Sequence, residues 1–186
     1  ITKNNATGSA LLPAASVSLT TVQNNYRALQ SFAKTAETSA VVKADCYGHG
    51  MSQVVSALSD IGCRTFFVAY LHEGIELRKL LGADPRIFVF NGIQPDEAEL
   101  FFEHDLIPVC NSISQVEFCV SNKYSKTYSI HFDTGMNRLG IRRENWERVI
   151  SHAKIKAPEL ILSHLACGDI ADHPMNVSQL KQFESL

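Results

Sequence analysis

The chain has 186 residues and a formal net charge of -2, with 45% apolar and 19% charged residues, which is an ordinary composition for a globular protein. This near-neutral charge gives no electrostatic support for binding to nucleic acid or to a membrane surface. No apolar run reaches the roughly 18 to 20 residues that a membrane-spanning helix needs. We therefore expect a globular protein with neither nucleic-acid nor membrane partners.

The five cysteines are scattered along the chain, and no two of them form a CxxC pair. This pattern indicates neither a disulfide framework nor a zinc site, so we predict no metal site. Free cysteines are typical of a reducing compartment, and the N-terminus lacks the basic region and apolar block of a signal peptide. We expect a cytoplasmic protein.

The predicted elements begin after a polar, unpatterned leader at residues 1–12. An extended run (AASVSL, 14–19) and an amphipathic segment (20–33) follow, and we group residues 1–36 as leader, strand and helix. Residues 37–186 then alternate apolar β-rich runs with helical patterns at 51–61, 72–81, 95–104, 112–122 and 143–153. The β-rich runs are SAVVKA (39–44), TFFVAY (65–70), RIFVF (86–90), LIPVC (106–110), YSIHFD (128–133) and LILSHLA (160–166).

Strands that are apolar nearly throughout are buried on both faces, and their alternation with helices predicts a parallel α/β sheet. Such a sheet is either doubly wound or part of a (β/α) barrel. No GxGxxG or GxxxxGK[ST] loop is present, which favours the barrel. Eight βα units need about 250 residues. We therefore predict a (β/α)8 TIM-barrel type fold that is incomplete, with about six of its eight strands, in residues 37–186. An open barrel of this kind would expose apolar surface and two strand edges.

In parallel α/β folds, functional side chains collect where strands end, and three strand ends carry candidates. Lys43 ends the first run, where burial would lower its pKa and favour the free amine that forms a Schiff base. The alternative is a lysine that extends into water. Tyr47 follows, and Gly48-His49-Gly50 allows a tight turn before the next helix, whose N-terminus would suit a phosphate. A turn that merely needs glycines would look similar.

The other two candidates are Arg138, in the loop DTGMNRLG, and His164, in LILSHLA. A guanidinium there could bind a carboxylate or a phenolic oxygen, or it could instead pair with Asp133. The histidine could be catalytic or a satisfied core residue. An amine together with these two groups, and without a paired serine, cysteine or carboxylate dyad, indicates carbonyl chemistry with pyridoxal phosphate.

The stretch AVVKADCYGHG closely resembles the pyridoxal-phosphate attachment motif of alanine racemases. FDTGMNRLG resembles that family's arginine-bearing loop, and LSHLACGDIADHP its histidine strand, so the resemblance runs from about residue 13 to the end. It implies a homodimeric, head-to-tail enzyme that interconverts L-alanine and D-alanine through a lysine-bound aldimine by two-base proton exchange. The D-alanine would supply bacterial cell-wall peptidoglycan.

The resemblance also implies a role for each candidate. Lys43 would hold the cofactor and exchange the α-proton on the D-alanine face. Tyr47 would bond the phosphate, Arg138 would contact the phenolic oxygen and the substrate carboxylate, and His164 would pack against the pyridine ring. The run at 14–19 would join a C-terminal β-domain.

Two departures from the family pattern stand out. Many members have a carbamylated lysine seven residues before the loop arginine, and its anion orients that arginine. Here the residue is His131, so either another anion such as chloride holds Arg138, or Arg138 is less well positioned. The chain also ends at Leu186, before the last two barrel strands and before the β-domain with its catalytic tyrosine. We expect an N-terminal part that is inactive by itself.

Two alternatives remain open. A related racemase or decarboxylase acting on serine, lysine or other basic amino acids would use the same lysine. A pyridoxal-phosphate-binding module without catalysis is the second alternative, and turnover would distinguish it.

Overall fold

The computed structural model describes residues 15–121 and 124–186. Its centre is one parallel sheet of six strands whose spatial order is the same as their order in the chain. Each connection therefore steps in the same direction around the sheet, which is the arrangement of a (β/α) barrel. The predicted incomplete barrel is confirmed, and the doubly wound alternative is wrong. The strands are β1 (Ala40–Val41), β2 (Thr65–Val68), β3 (Arg86–Val89), β4 (Ile107–Cys110), β5 (Ser129–His131) and β6 (Leu160–Leu162).

Helices occupy all of the segments with helical periodicity, although Asn122 at the end of one segment lies outside the described residues. Two further helices, at Lys43–Gly48 and at Pro174–Glu184, were not predicted from the sequence. The helices are α1 (Leu19–Ala33), α2 (Lys43–Gly48), α3 (Met51–Asp60), α4 (Leu71–Leu81), α5 (Ala98–Glu103), α6 (Ile113–Val120), α7 (Trp146–Ala153) and α8 (Pro174–Glu184), with short 3-10 turns at Pro95–Glu97 and Arg143–Asn145. None of the helices in the described part of the chain is long and apolar enough to cross a bilayer.

The run predicted as a strand at 14–19 does not join the described sheet. Residues 15–18 belong to no strand, and Leu19 already begins α1. The Ser18 side chain accepts a hydrogen bond from the backbone N–H of Thr21 at 3.3 Å and so caps the helix. The expected pairing of this run with a C-terminal β-domain stays a prediction. Ala14 and the predicted leader, residues 1–12, lie outside the described residues.

Side chains alternate along each strand between two apolar layers. One set, including Phe66, Ile87 and Ile130, packs against the surrounding helices and forms the larger core. The other set faces the barrel interior, where the rings of Phe67 and Phe88 stack with their centroids 4.8 Å apart. Burial of each such side chain contributes about 2 kcal/mol. The helix-facing layer therefore supplies most of the stability and holds the interior face in position.

Ion pairs stabilise the amino-terminal end of the sheet, and none of the candidate site residues takes part in them. Arg86 at the start of β3 pairs with Glu37, which precedes β1, and with Glu159, which precedes β6, at 3.3 Å. These ion pairs join the middle of the sheet to both of its outer strands. The opposite, carboxyl-terminal end is left free for the candidate site residues.

Candidate functional site

Lys43 lies two residues after the end of β1, at the carboxyl end of the sheet. The preceding residue, Val42, still donates its N–H to Phe67 O of β2 at 2.8 Å, so the chain leaves the sheet at the lysine itself. The half-buried Lys43 side chain lines a cavity of about 400 Å³. Its Nζ lies 5.9 Å from the ring centroids of both Tyr47 and Phe90. The amine is thus directed into a cavity with aromatic walls.

The residues after Lys43 form a left-handed turn, which the sequence did not predict. Ala44, Asp45, Cys46 and Tyr47 have φ values of 51, 52, 52 and 56. For residues other than glycine, this conformation costs roughly 1–2 kcal/mol each. The turn brings the exposed Tyr47 ring back beside the lysine that precedes it. This strained segment therefore places two of the predicted site residues together.

The glycine turn before α3 is present, with φ of 81 at Gly48 and 90 at Gly50. The first N–H of α3, at Met51, is donated to the Asp45 carboxylate at 2.6 Å. An acidic side chain already caps this helix end, so the structure does not support our expectation that it receives a phosphate. The sequence offered two groups that could bind a phosphate, the N-terminus of α3 and the Tyr47 hydroxyl, and only the hydroxyl is still available for this.

Glu73 is the functional residue that sequence reasoning missed. It is buried in the first turn of α4, and its carboxylate accepts hydrogen bonds from the N–H of Ala44 at 2.6 Å, Ala69 at 2.7 Å and Tyr70 at 2.9 Å. It therefore connects the peptide just after Lys43 to the end of β2. A glutamate three residues after Ser or Thr signals a helix start; here Tyr70 occupies the first position of that pattern, so the signal was weak.

Asp133 stabilises the loop that carries Arg138 by binding backbone N–H groups of the loop, and it forms no hydrogen bond with the arginine side chain. The Asp133 Oδ1 atom accepts hydrogen bonds from the N–H groups of Gly135 and Asn137, each at 3.0 Å. The expected alternative, an ion pair between Arg138 and Asp133, is therefore wrong. Arg138 is exposed and lines the same cavity as Lys43, and no described residue accepts a hydrogen bond from its guanidinium.

His164 lies two residues beyond β6 and lines the cavity next to Arg138. It is exposed, so the alternative of a satisfied core histidine is wrong. Partial burial lowers the pKa of its imidazole, and the positive charges of Arg138 and Lys43 lower it further. The ring is therefore biased towards its neutral form, which suits packing against another ring.

Gln179 of α8 joins the Arg138 and His164 loops. It is 1% exposed, and its Nε2 donates to Thr134 Oγ1 and to His164 O, both at 3.0 Å. Its Oε1 accepts from the N–H of Ala166 at 2.8 Å. Both loops are thus held by one buried amide. The sequence could not indicate this residue, because α8 itself was not predicted.

The four predicted site residues all line this one cavity. Its basic members are Lys43, Arg138 and the two histidines His131 and His164, and no aspartate or glutamate is among the lining residues. The walls are apolar, and the volume of about 400 Å³ falls in the range of small-molecule sites. An anionic ring compound with a carbonyl group, such as pyridoxal phosphate, fits an amine, a guanidinium and aromatic walls arranged in this way.

Comparisons with known proteins give one consistent result. Residues 17–186 match the family model described as "Alanine racemase, N-terminal domain". An alanine racemase of Cereibacter sphaeroides is 43% identical over 171 residues, which cover 91% of this chain and 49% of the relative. The crystal structure of alanine racemase from Bartonella henselae with covalently bound pyridoxal phosphate matches with a TM-score of 0.83 and 34% identity, over 90% of this chain and 51% of that one.

The biosynthetic alanine racemase of Pseudomonas aeruginosa matches with a TM-score of 0.80 and 32% identity, over 90% of this chain and 48% of that one. The chain spans about half the length of the curated relatives it matches.

Proposed function

Since the chain belongs to the family of alanine racemase N-terminal domains, we propose that it is the pyridoxal-phosphate-binding part of an enzyme that interconverts L-alanine and D-alanine. One observation carries this proposal: Lys43, Tyr47, Arg138 and His164 line a single cavity that contains no acidic side chain. A cavity with this charge favours an anionic cofactor and the carboxylate of an amino-acid substrate.

We propose for each residue the role that the family resemblance implies, since all four line the same cavity. The Lys43 amine would hold the cofactor covalently and would move a proton on and off the substrate α-carbon from its own face. The Tyr47 hydroxyl would donate to the phosphate. Arg138 would bind the phenolic oxygen and the substrate carboxylate, and His164 would pack against the ring. When bound, pyridoxal phosphate supplies the electron sink that acidifies the α-hydrogen.

Racemisation by two bases needs a second base on the face opposite Lys43. Tyr26, Tyr124 and Tyr128 are buried, and burial raises the pKa of each phenol, so none of them is suited to the role. Tyr47 lies beside the lysine, and Tyr70 is exposed and does not line the cavity. We therefore propose that the second base is a tyrosine from the C-terminal β-domain of a partner subunit in a head-to-tail homodimer. The chain alone would then not racemise alanine efficiently.

We also propose that the enzyme works in the cytoplasm and supplies D-alanine for cell-wall peptidoglycan. The five cysteines are all free and four are buried, which supports a reducing compartment. Among the described residues, no tyrosine other than Tyr47 lines the cavity, which favours, for the chain by itself, the second candidate function of binding the cofactor without catalysis.

The test is the absorption spectrum of the purified chain with added pyridoxal phosphate, before and after borohydride reduction. We expect a visible band that reduction converts into a stable modification, which peptide mass spectrometry locates on Lys43. Lys43→Ala should abolish the band, whereas Lys154→Ala, on the helix surface, should leave it unchanged. A folded chain without the band, or a band that survives in Lys43→Ala, would contradict the proposal. Alanine α-hydrogen exchange in deuterium oxide then measures turnover separately from binding.

A further inference from the structure

His131, at the end of β5, carries a buried hydrogen-bonding atom without a partner. The residue is 7% exposed, its ring lines the cavity with Lys43 and Arg138, and its Nε2 has no hydrogen-bond partner among the described residues. More than nine in ten buried polar groups are paired in folded proteins. An unpaired nitrogen on a residue that lines a cavity therefore indicates capacity for one further hydrogen bond, which a donor in the same cavity can fill.

Asn111 determines which ring nitrogen of His131 carries the proton. The Asn111 Nδ2 amide donates to Phe90 O at 2.6 Å and to Val109 O at 2.8 Å, so both of its hydrogens are used. Its Oδ1, which can only accept, lies 3.0 Å from His131 Nδ1. The Nδ1 atom must therefore be the protonated one.

The charge state of His131 determines what Nε2 can do. Burial lowers the pKa of the ring to about 4, and the neighbouring His164 and Arg138 also lower it, while Asp133 acts in the opposite direction. The imidazole is therefore neutral near pH 7. With its proton on Nδ1, Nε2 keeps a lone pair and can only accept a hydrogen bond.

Arg138 lines the same cavity, and its guanidinium donates no hydrogen bond to any residue that the structure describes. The loop that carries it packs directly on the His131 ring. Gly140 has φ of 102, and a Cβ placed there would lie 3.1 Å from His131 Cδ2, the carbon bonded to Nε2, and 2.8 Å from the backbone nitrogen of Asp133. The loop can approach this closely because residue 140 has no side chain.

We propose that His131 Nε2 accepts a hydrogen bond from the Arg138 guanidinium and thereby positions Arg138 for the cofactor and substrate. Asn111 holds the ring in the tautomer that this requires. The neutral His131 ring then orients Arg138, as the carbamylated lysine does in the family pattern. Neither a carbamate nor a bound anion is needed for this. The inference deepens the proposed function and rests on it, with His131 and Asn111 as positioning residues.

The first test needs no cofactor. Long-range ¹H–¹⁵N correlation spectra of the histidine rings report the tautomer and charge of each ring, and His131→Phe, or His131→Gln if the first variant does not fold, assigns the His131 signals. We expect a protonated Nδ1, an unprotonated Nε2 and no titration until the pH approaches about 4. A protonated Nε2, or titration near the ordinary pKa of histidine, would overturn the proposal.

The second test follows Nε2 when its proposed partner is removed. Arg138→Met keeps much of the side-chain length but has no donor, so we expect it to shift the Nε2 resonance, whereas Arg142→Met, in the same loop, should not. Added chloride should leave the resonance unchanged. If Arg138→Met leaves the Nε2 resonance unchanged, or if added chloride shifts it to a saturating value, the proposed hydrogen bond is wrong. Failure of the chain to bind pyridoxal phosphate would instead count against the proposed function, because the ring spectra are measured without it.

Discussion

At the scale of single residues, the geometry of the site depends on side chains that do not line the cavity but bind the backbone around it. Glu73 is the clearest case, because its buried carboxylate accepts three backbone hydrogen bonds, one of them from the peptide that follows Lys43. Charge-assisted hydrogen bonds of this kind are stronger than neutral ones. The position of the lysine amine thus depends on a residue on the next βα unit.

We expect Glu73→Gln to destabilise the chain by roughly 2 kcal/mol and to weaken pyridoxal phosphate binding. The amide has the same size, but its NH₂ group would face backbone N–H donors and leave some of them unpaired. Urea unfolding measures the first effect, and titration of the visible cofactor band measures the second. Glu76→Gln, on the exposed face of the same helix, is the control and should change neither. Equal behaviour of the two variants would refute the role of Glu73.

At the scale of elements, the sequence predicted the regular parts of the fold and failed at the turn that makes the site. Runs such as TFFVAY and RIFVF are apolar nearly throughout, so local pattern alone identified β2 and β3. The turn at Ala44–Tyr47 has no glycine, and its left-handed conformation is opposed by local preference. It is held by contacts with residues outside the turn, namely Glu73 on the next βα unit and Met51 at the start of α3. Such contacts are invisible until the fold is known.

The left-handed turn reverses the usual effect of a glycine substitution. Ala44 is exposed and has φ of 51, a conformation that glycine adopts without strain. We expect Ala44→Gly to leave the free energy of unfolding unchanged or to raise it by up to about 1 kcal/mol, since relief of strain offsets the greater entropy of the unfolded chain. Ala28→Gly, at an exposed position of the right-handed helix α1, should lower it by about 1 kcal/mol.

Chemical denaturation of the two glycine variants checks this difference in sign. A loss of similar size in both would mean that residues 44–47 do not hold the left-handed conformation in solution.

At the scale of the whole molecule, the open barrel leaves apolar side chains facing solvent. The sequence predicted this, because six strands do not close a (β/α)8 barrel. It did not predict the apolar groove beside α8, because α8 itself shows no clear apolar periodicity. The groove has a volume of about 490 Å³ and lies between β6 and α8, with Val177 at 56% and Leu180 at 53% exposure among its lining residues. Contiguous apolar surface of this kind favours association between molecules.

We therefore expect the isolated chain to self-associate as its concentration rises. Leu180→Lys should weaken that association by about thirtyfold, because burial of a leucine side chain contributes about 2 kcal/mol and the added charge opposes association further. Sedimentation velocity over a concentration series measures this. Ile155→Lys is the matched control, because Ile155 is 75% exposed but does not line the groove. A chain that stays monomeric throughout, or an equal effect of both variants, would show that the groove between β6 and α8 does not drive the association.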